Sequence, residues 1–202
     1  SIIEIVKHLK AGHDTLYSYH KPIENQFKKA GYDIAFAFLA DNKALNPNRY
    51  NNNEDDYNTY GTHENYCIPK NSFNQGLFKC LYPFFATRQI YSGAGGFFAN
   101  KFNPSQFKAK LKYPYGFVLS PRAFFIEEEL NSSTTSSRPM INTRPEPHAD
   151  SEALWRLHIL CGESNRSDWS NWLKIGTTAL VISAFCKKPN VFKNMPELVN
   201  NL

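Results

Sequence analysis

The stretch NTRPEPHADSEALWRLHILCGESN, residues 142–165, packs two arginines, two prolines, two histidines and four carboxylates between a proline-stiffened start and an apolar finish. Its reading sets the architecture around it. From Asp150 onward it has helix-start chemistry, an Asp-Ser pair ahead of an apolar series, and Ala153, Leu157, Leu160 and Cys161 recur at helical spacing. A helix is therefore expected over 150–164, with His158 on it three residues after Trp155. A single histidine on an apolar helix is ordinarily a satisfied core residue, so periodicity alone gives His158 no chemistry. Upstream, MINTR (140–144) reads as a short strand. Glu146 follows Arg144 by two positions, so on an extended strand both side chains face the same way. His148 continues that face if the strand persists; Pro145 and Pro147 suit a turn equally well.

Working outward, residues 2–10 and 15–30 show helical spacing and predict two opening helices, stopped at Gly31. YDIAFAFLA (32–40) and TYGTHENYCI (59–68) read as an outgoing and a returning strand around an Asn-rich surface loop, 41–58. On the returning strand His63 and Asn65 share one face and Glu64 and Tyr66 the other, which gives Glu64 a structural reading. Residues 73–90 predict a helix despite Pro83. The SGAGG that follows lacks the Lys-Ser/Thr of a phosphate loop and reads as a tight turn. Residues 115–130 hold one or two strands, with Arg122 after a proline and Glu127 to Glu129 as a solvated face. The polar connector 131–139 includes Ser132 and Thr134, which suit a substrate contact and a plain connector equally. An apolar, buried helix is expected over 168–186. Trp155, Trp169 and Trp172 offer a docking surface, with core packing expected for at least two of them.

A chain of 202 residues, 42% hydrophobic and 20% charged, can bury a sizeable core, so residues 1–202 are expected to form one domain. A net charge of +5 without a basic stripe disfavours nucleic acid as a partner. The longest apolar run, 179–186, is too short to span a bilayer, so no membrane role is expected. Four cysteines without paired or metal-type spacing suit reduced thiols and a cytoplasmic location.

The blocks GTHENY (61–66), TRQIYSGAG (87–95), SPRA (120–123), TTSSRPMINTRPEPHAD (134–150), RLHIL (156–160), GESN (162–165) and LKIGTTALV (173–181) resemble, in the same order, the Pup ligase and depupylase family. The resemblance covers residues 57–185. It implies an α+β fold of the glutamine-synthetase-like carboxylate-amine ligase type, a curved antiparallel sheet flanked by helices that cradles ATP and Mg2+. Within it, Arg122, Arg144 and His158 would meet ATP and its phosphates, and His63 and Glu146 the metal, with Asn65, His148, Ser132 and Thr134 placed for substrate contact. The implied reaction activates the carboxylate of a small protein modifier as an acyl phosphate and joins it to a lysine of a protein substrate. Opposite cleavage, by a depupylase-type amidohydrolase, and a non-catalytic binding subunit are the alternatives.

Several features depart from the family pattern. The family's Glu-bearing N-terminal strand and the loop with its catalytic aspartate have no counterpart here, so no catalytic residue is named. The expectation is one piece of a split or processed ligase, completed by a second chain carrying the Glu-rich strand. The family's Arg-Asp-Glu-Pro is Arg-Pro-Glu-Pro at 144–147, and Trp155 replaces the first arginine of Arg-Arg-Leu-His.

Overall fold

The computed structural model describes residues 1–32, 43–45, 57–59, 62–99, 115–133, 138–146 and 149–192. The strand expected over 32–40 lies outside these, apart from Tyr32. A single helix, α1 (Ile2–Lys29), replaces the two expected at the start. Gly12 does not break it, because one glycine in a helix interior costs only about 1 kcal/mol. Ser1 caps the helix through Glu4 N, and the chain turns off it at Gly31, whose φ of +87° is a conformation that favours glycine. No α1 residue is buried; the helix lies along the surface, with Lys10 paired to Asp168 at 3.7 Å.

Strands β1 (Lys43–Leu45) and β2 (Tyr57–Thr59) pair antiparallel. The two ends of the expected loop 41–58 are thus strands, and 46–56 lies outside the described residues. Next come β3 (Glu64–Pro69), α2 (Gln75–Ser92), β4 (Gly96–Ala99), β5 (Tyr115–Val118), β6 (Glu128–Asn131), β7 (Pro139–Asn142), β8 (Leu154–Ile159) and α3 (Asp168–Lys187). Asn74 caps α2, its Oδ1 accepting from the amides of Gly76 and Leu77. The glycine turn after α2 reaches β4, which pairs with β5. A 3-10 turn, Pro121–Phe125, follows β5.

The main sheet has the order β3-β8-β7-β6. Its β3–β8 and β8–β7 pairings are antiparallel and its β7–β6 pairing is parallel, so the sheet is mixed where an antiparallel one was expected, within the same α+β class. The helix expected over 150–164 is the strand β8. Trp155, Leu157 and Ile159 alternate with Arg156 and His158, and the six residues of β3 lie opposite in register. The helix-start signal at Asp150 is real but local: Asp150 Oδ1 accepts from Glu152 N and Asp150 O from Leu154 N, which makes one turn and then releases the chain into the sheet.

One face of the sheet is apolar. Ile68, Ile141, Leu157 and Ile159 pack there against Leu77, Leu81 and Phe85 of α2 and Ile182 and Phe185 of α3, each contributing about 1.5–3 kcal/mol through burial. Helix α3 is buried on that side only; Leu180 is exposed, as are Trp169 and Trp172, which stack on each other. The expectation that two of the three tryptophans are core therefore fails. Trp155 alone is partly buried, stacked on Phe73 with centroids 4.6 Å apart. Among the described residues no helix is long and apolar enough to cross a membrane.

Candidate functional site

The other face of the sheet is polar, and strand register builds it. Asn65 of β3, His158 of β8, Asn142 of β7 and Asn131 of β6 lie in one row across the four strands, with Cys67 and Arg156 paired alongside. Opposed residues of neighbouring strands project to the same side, so Arg156 and His158 share this face with Asn65. Arg156 Nε donates to Asn65 Oδ1 at 2.7 Å and Arg156 Nη2 to His158 Nδ1 at 3.1 Å. A guanidinium only donates, so His158 Nδ1 accepts and its proton sits on Nε2. That Nε2–H points at His63 Nδ1, 3.0 Å away, which in turn places the His63 proton on Nε2. Arg156 thereby fixes two tautomers in series, and the chain ends on a donor at the exposed residue His63.

Both imidazoles are held neutral. Burial, then the charge of Arg156 and the neighbouring His63, push His158 down to about 4. Burial and the charges of Arg122 and Arg156 lower His63 as well. Arg122, 4% exposed, donates through Nε to the carbonyl of Leu160 at 3.0 Å. Burial and repulsion from Arg138 lower its pKa, although Glu163 opposes the shift. A buried arginine repelled by the partly buried Arg138, beside a neutral donor, forms an environment that an anion relieves.

The remaining candidates separate into groups. Arg144 lies beyond the end of β7, exposed, its amide donating to Asn142 Oδ1 at 2.9 Å. Glu146 N donates to Arg144 O, a turn, so Arg144 and Glu146 are not on one strand face and the turn reading of Pro145 prevails. The Glu146 carboxylate lies 3.8 Å from Arg156 Nη1. Ser132 is exposed and accepts through its carbonyl from Asn142 Nδ2, so a buried asparagine ties both flanks of the polar face together. Thr134 and His148 lie outside the described residues. Glu64 belongs to the opposite face, paired to Arg88.

A magnesium ion takes mostly oxygen ligands. Here His63 Nδ1 is engaged by His158, Glu146 faces Arg156, and among the described residues no three His, Cys, Asp or Glu side chains converge. These residues do not fit a magnesium site, whereas the arginine and histidine set fits phosphate. Arg156, Arg138 and Glu163 escaped the sequence reading. A period-two count over 154–159 would have joined Arg156 to His158; the other two meet their partners only through the fold.

A family model described as Pup-ligase protein matches residues 3–198. The chain belongs to the Pup-ligase family. Among curated Pup ligases, the Pup-protein ligase of Bifidobacterium longum subsp. infantis is 41% identical over 134 residues, which is 66% of this chain and 24% of that protein. That of Paenarthrobacter aurescens is 45% identical over 134 residues, 65% of this chain and 27% of that protein. Among solved structures, the Pup ligase PafA in complex with ADP aligns with a TM-score of 0.69 at 32% identity, covering 92% of this chain and 36% of that one. The complex between Pup and its ligase PafA aligns with a TM-score of 0.71 at 30% identity, covering 97% and 37%. The chain thus spans about a quarter to a third of the length of these Pup ligases, and the fold they share is the glutamine-synthetase-like α+β one.

Proposed function

We propose that this chain supplies the phosphate-binding wall of an ATP-dependent ligase that joins the carboxylate of a small Pup-type modifier to a substrate lysine. The observation that carries this reading is the polarised series Arg156–His158–His63, which ends on a fixed donor in the field of Arg122. The similarity to a PafA solved with ADP supports a nucleotide as the anion, and the similarity to a PafA solved with Pup supports the modifier.

In the reaction proposed, a carboxylate oxygen of the modifier attacks the γ-phosphorus of ATP, and the bond to the β-γ bridging oxygen breaks to release ADP. The lysine amine then attacks the acyl carbon and displaces phosphate, leaving the isopeptide bond. The part assigned to this chain is electrostatic. Arg122 and Arg144 meet phosphate oxygens, and His63, whose pKa burial and the nearby arginines lower, donates through Nε2. Magnesium would travel with ATP, since among the described residues no three His, Cys, Asp or Glu side chains converge to hold it.

The test is titration calorimetry of the full chain with ADP, comparing wild type with Arg122→Ala and His63→Ala. Charge-assisted hydrogen bonds contribute about 1.5–3 kcal/mol, so each variant should bind ADP roughly 10–100-fold more weakly. Unchanged affinity in Arg122→Ala would overturn the phosphate reading, and unchanged affinity in His63→Ala would remove His63 from it. Intact-mass analysis of the same preparation identifies any second polypeptide that completes the site.

A further inference from the structure

The segment Gly162–Asn165 is tied to α2, to α3, to Thr62 and to the turn that carries Arg122. A Cβ at Gly162 would overlap the carbonyl oxygen of Thr62, beside His63. Asn165 Nδ2 donates to Ser92 O at the end of α2, and Asn171 Nδ2 of α3 donates to Asn165 O, both at 3.0 Å. Between them Glu163, 1% exposed, sends its carboxylate to the turn that carries Arg122. Its Oε1 accepts from Ser120 Oγ in a very short contact and from the Arg122 amide at 3.1 Å. Ser120 Oγ also accepts from Ala123 N at 3.1 Å. The Glu163 carbonyl is anchored in turn by the buried Lys174, whose Nζ donates to it at 2.6 Å.

The geometry points to Glu163 as a positioning residue. Its carboxylate clamps the backbone of Arg122 from one side while the Leu160 carbonyl holds Nε from the other, and the two together set the direction of the guanidinium. An arginine on a five-residue 3-10 turn has little backbone support of its own, since such turns are short and their hydrogen bonds poor. A buried acceptor from a distant segment supplies what the turn lacks. This inference rests on the proposed reading only for the consequence at phosphate; the clamp itself is a property of the fold.

Two measurements on the full chain test it. The first is exchange of the Arg122 Nε–H with solvent by nitrogen-15 NMR, the resonance being assigned by its loss in Arg122→Lys. Glu163→Ala should speed this exchange at least tenfold while amides of α2 and α3 keep their protection, and Glu163→Gln, which retains the acceptor, should stay near wild type. Ser120→Ala, a milder change, should fall between. The second is ADP affinity: Glu163→Ala should weaken it about tenfold alone and not at all in an Arg122→Ala background. Unaltered Nε–H exchange in Glu163→Ala, or an equal loss of affinity in both backgrounds, overturns the positioning role. Should Arg122→Ala leave ADP affinity intact, the phosphate reading fails, and the exchange measurement alone decides whether the clamp exists.

Discussion

Arg88→Met is expected to destabilise the fold by about 3–5 kcal/mol, the penalty of stranding a buried charge. Arg88 is fully buried on α2 and reaches the apolar face of the sheet, where Nη2 donates to Glu64 Oε1 at 2.6 Å and Nη1 to Glu64 Oε2 at 3.0 Å. Nη1 also donates to Thr178 Oγ1 of α3 at 2.7 Å, and Tyr66 OH donates to Glu64 Oε2 at 2.8 Å. Burial by itself disfavours the guanidinium charge, but Glu64 more than offsets it and holds the pKa above the ordinary value. Methionine fills much of the space and leaves Glu64 only the tyrosine hydroxyl. Urea unfolding followed by circular dichroism at pH 7.5 reads the loss. With a slope of about 2 kcal/mol per molar, the midpoint should fall by roughly 2 M. Adding Glu64→Gln to the same chain removes the stranded charge and should restore at least about 2 kcal/mol, although Glu64→Gln alone destabilises. A shift below about 1 kcal/mol for Arg88→Met, or additive losses in the double variant, would refute the reasoning. The result also bears on the site, because Glu64 opens β3 between His63, which precedes the strand, and Asn65, and its pairing decides which face those two present.

Acidification should destabilise the protein through His158. Its folded pKa is depressed from 6.5 to about 4, so the unfolded chain binds the extra proton first, and the stabilisation present above about pH 6.5 is lost as pH falls toward 4. The window corresponds to at most about 3 kcal/mol. Glu163, whose pKa burial raises, acts in the opposite sense, so the quantity to compare is wild type minus His158→Asn across pH 4–7.5; a flat difference would contradict the neutral relay. Gly162→Ala should lower stability by about 2 kcal/mol or more, since its Cβ would overlap backbone rather than a flexible side chain. A variant melting within 1 °C of wild type would show that Thr62 yields freely.

Much of the scaffold is legible in the sequence. The helix at 73–90 and the one at 168–186 appear as α2 and α3 because each carries a long apolar series with capping chemistry, Asn74 at one start and Ser167 at the other. Alternation in HENYCI places His63 and Asn65 opposite Glu64, as found, and the colinear blocks carry the family. Local pattern alone determined these features, since helix capping, two-residue alternation and motif order all act over a few neighbouring positions.

The tertiary structure decided the rest. Six residues, 154–159, satisfy both a helical and an alternating pattern, and only the hydrogen-bonding edge of β3 makes the strand the better solution. Once β8 is a strand, Arg156 and His158 fall on one side and the relay to His63, 95 positions away in the chain, can form. The clamp of Glu163 on Arg122 spans 41 positions and the Arg88–Glu64 pair 24. Contacts of that reach leave no periodicity in a sequence, because the residues between them report their own local packing and not the partner that folding brings close.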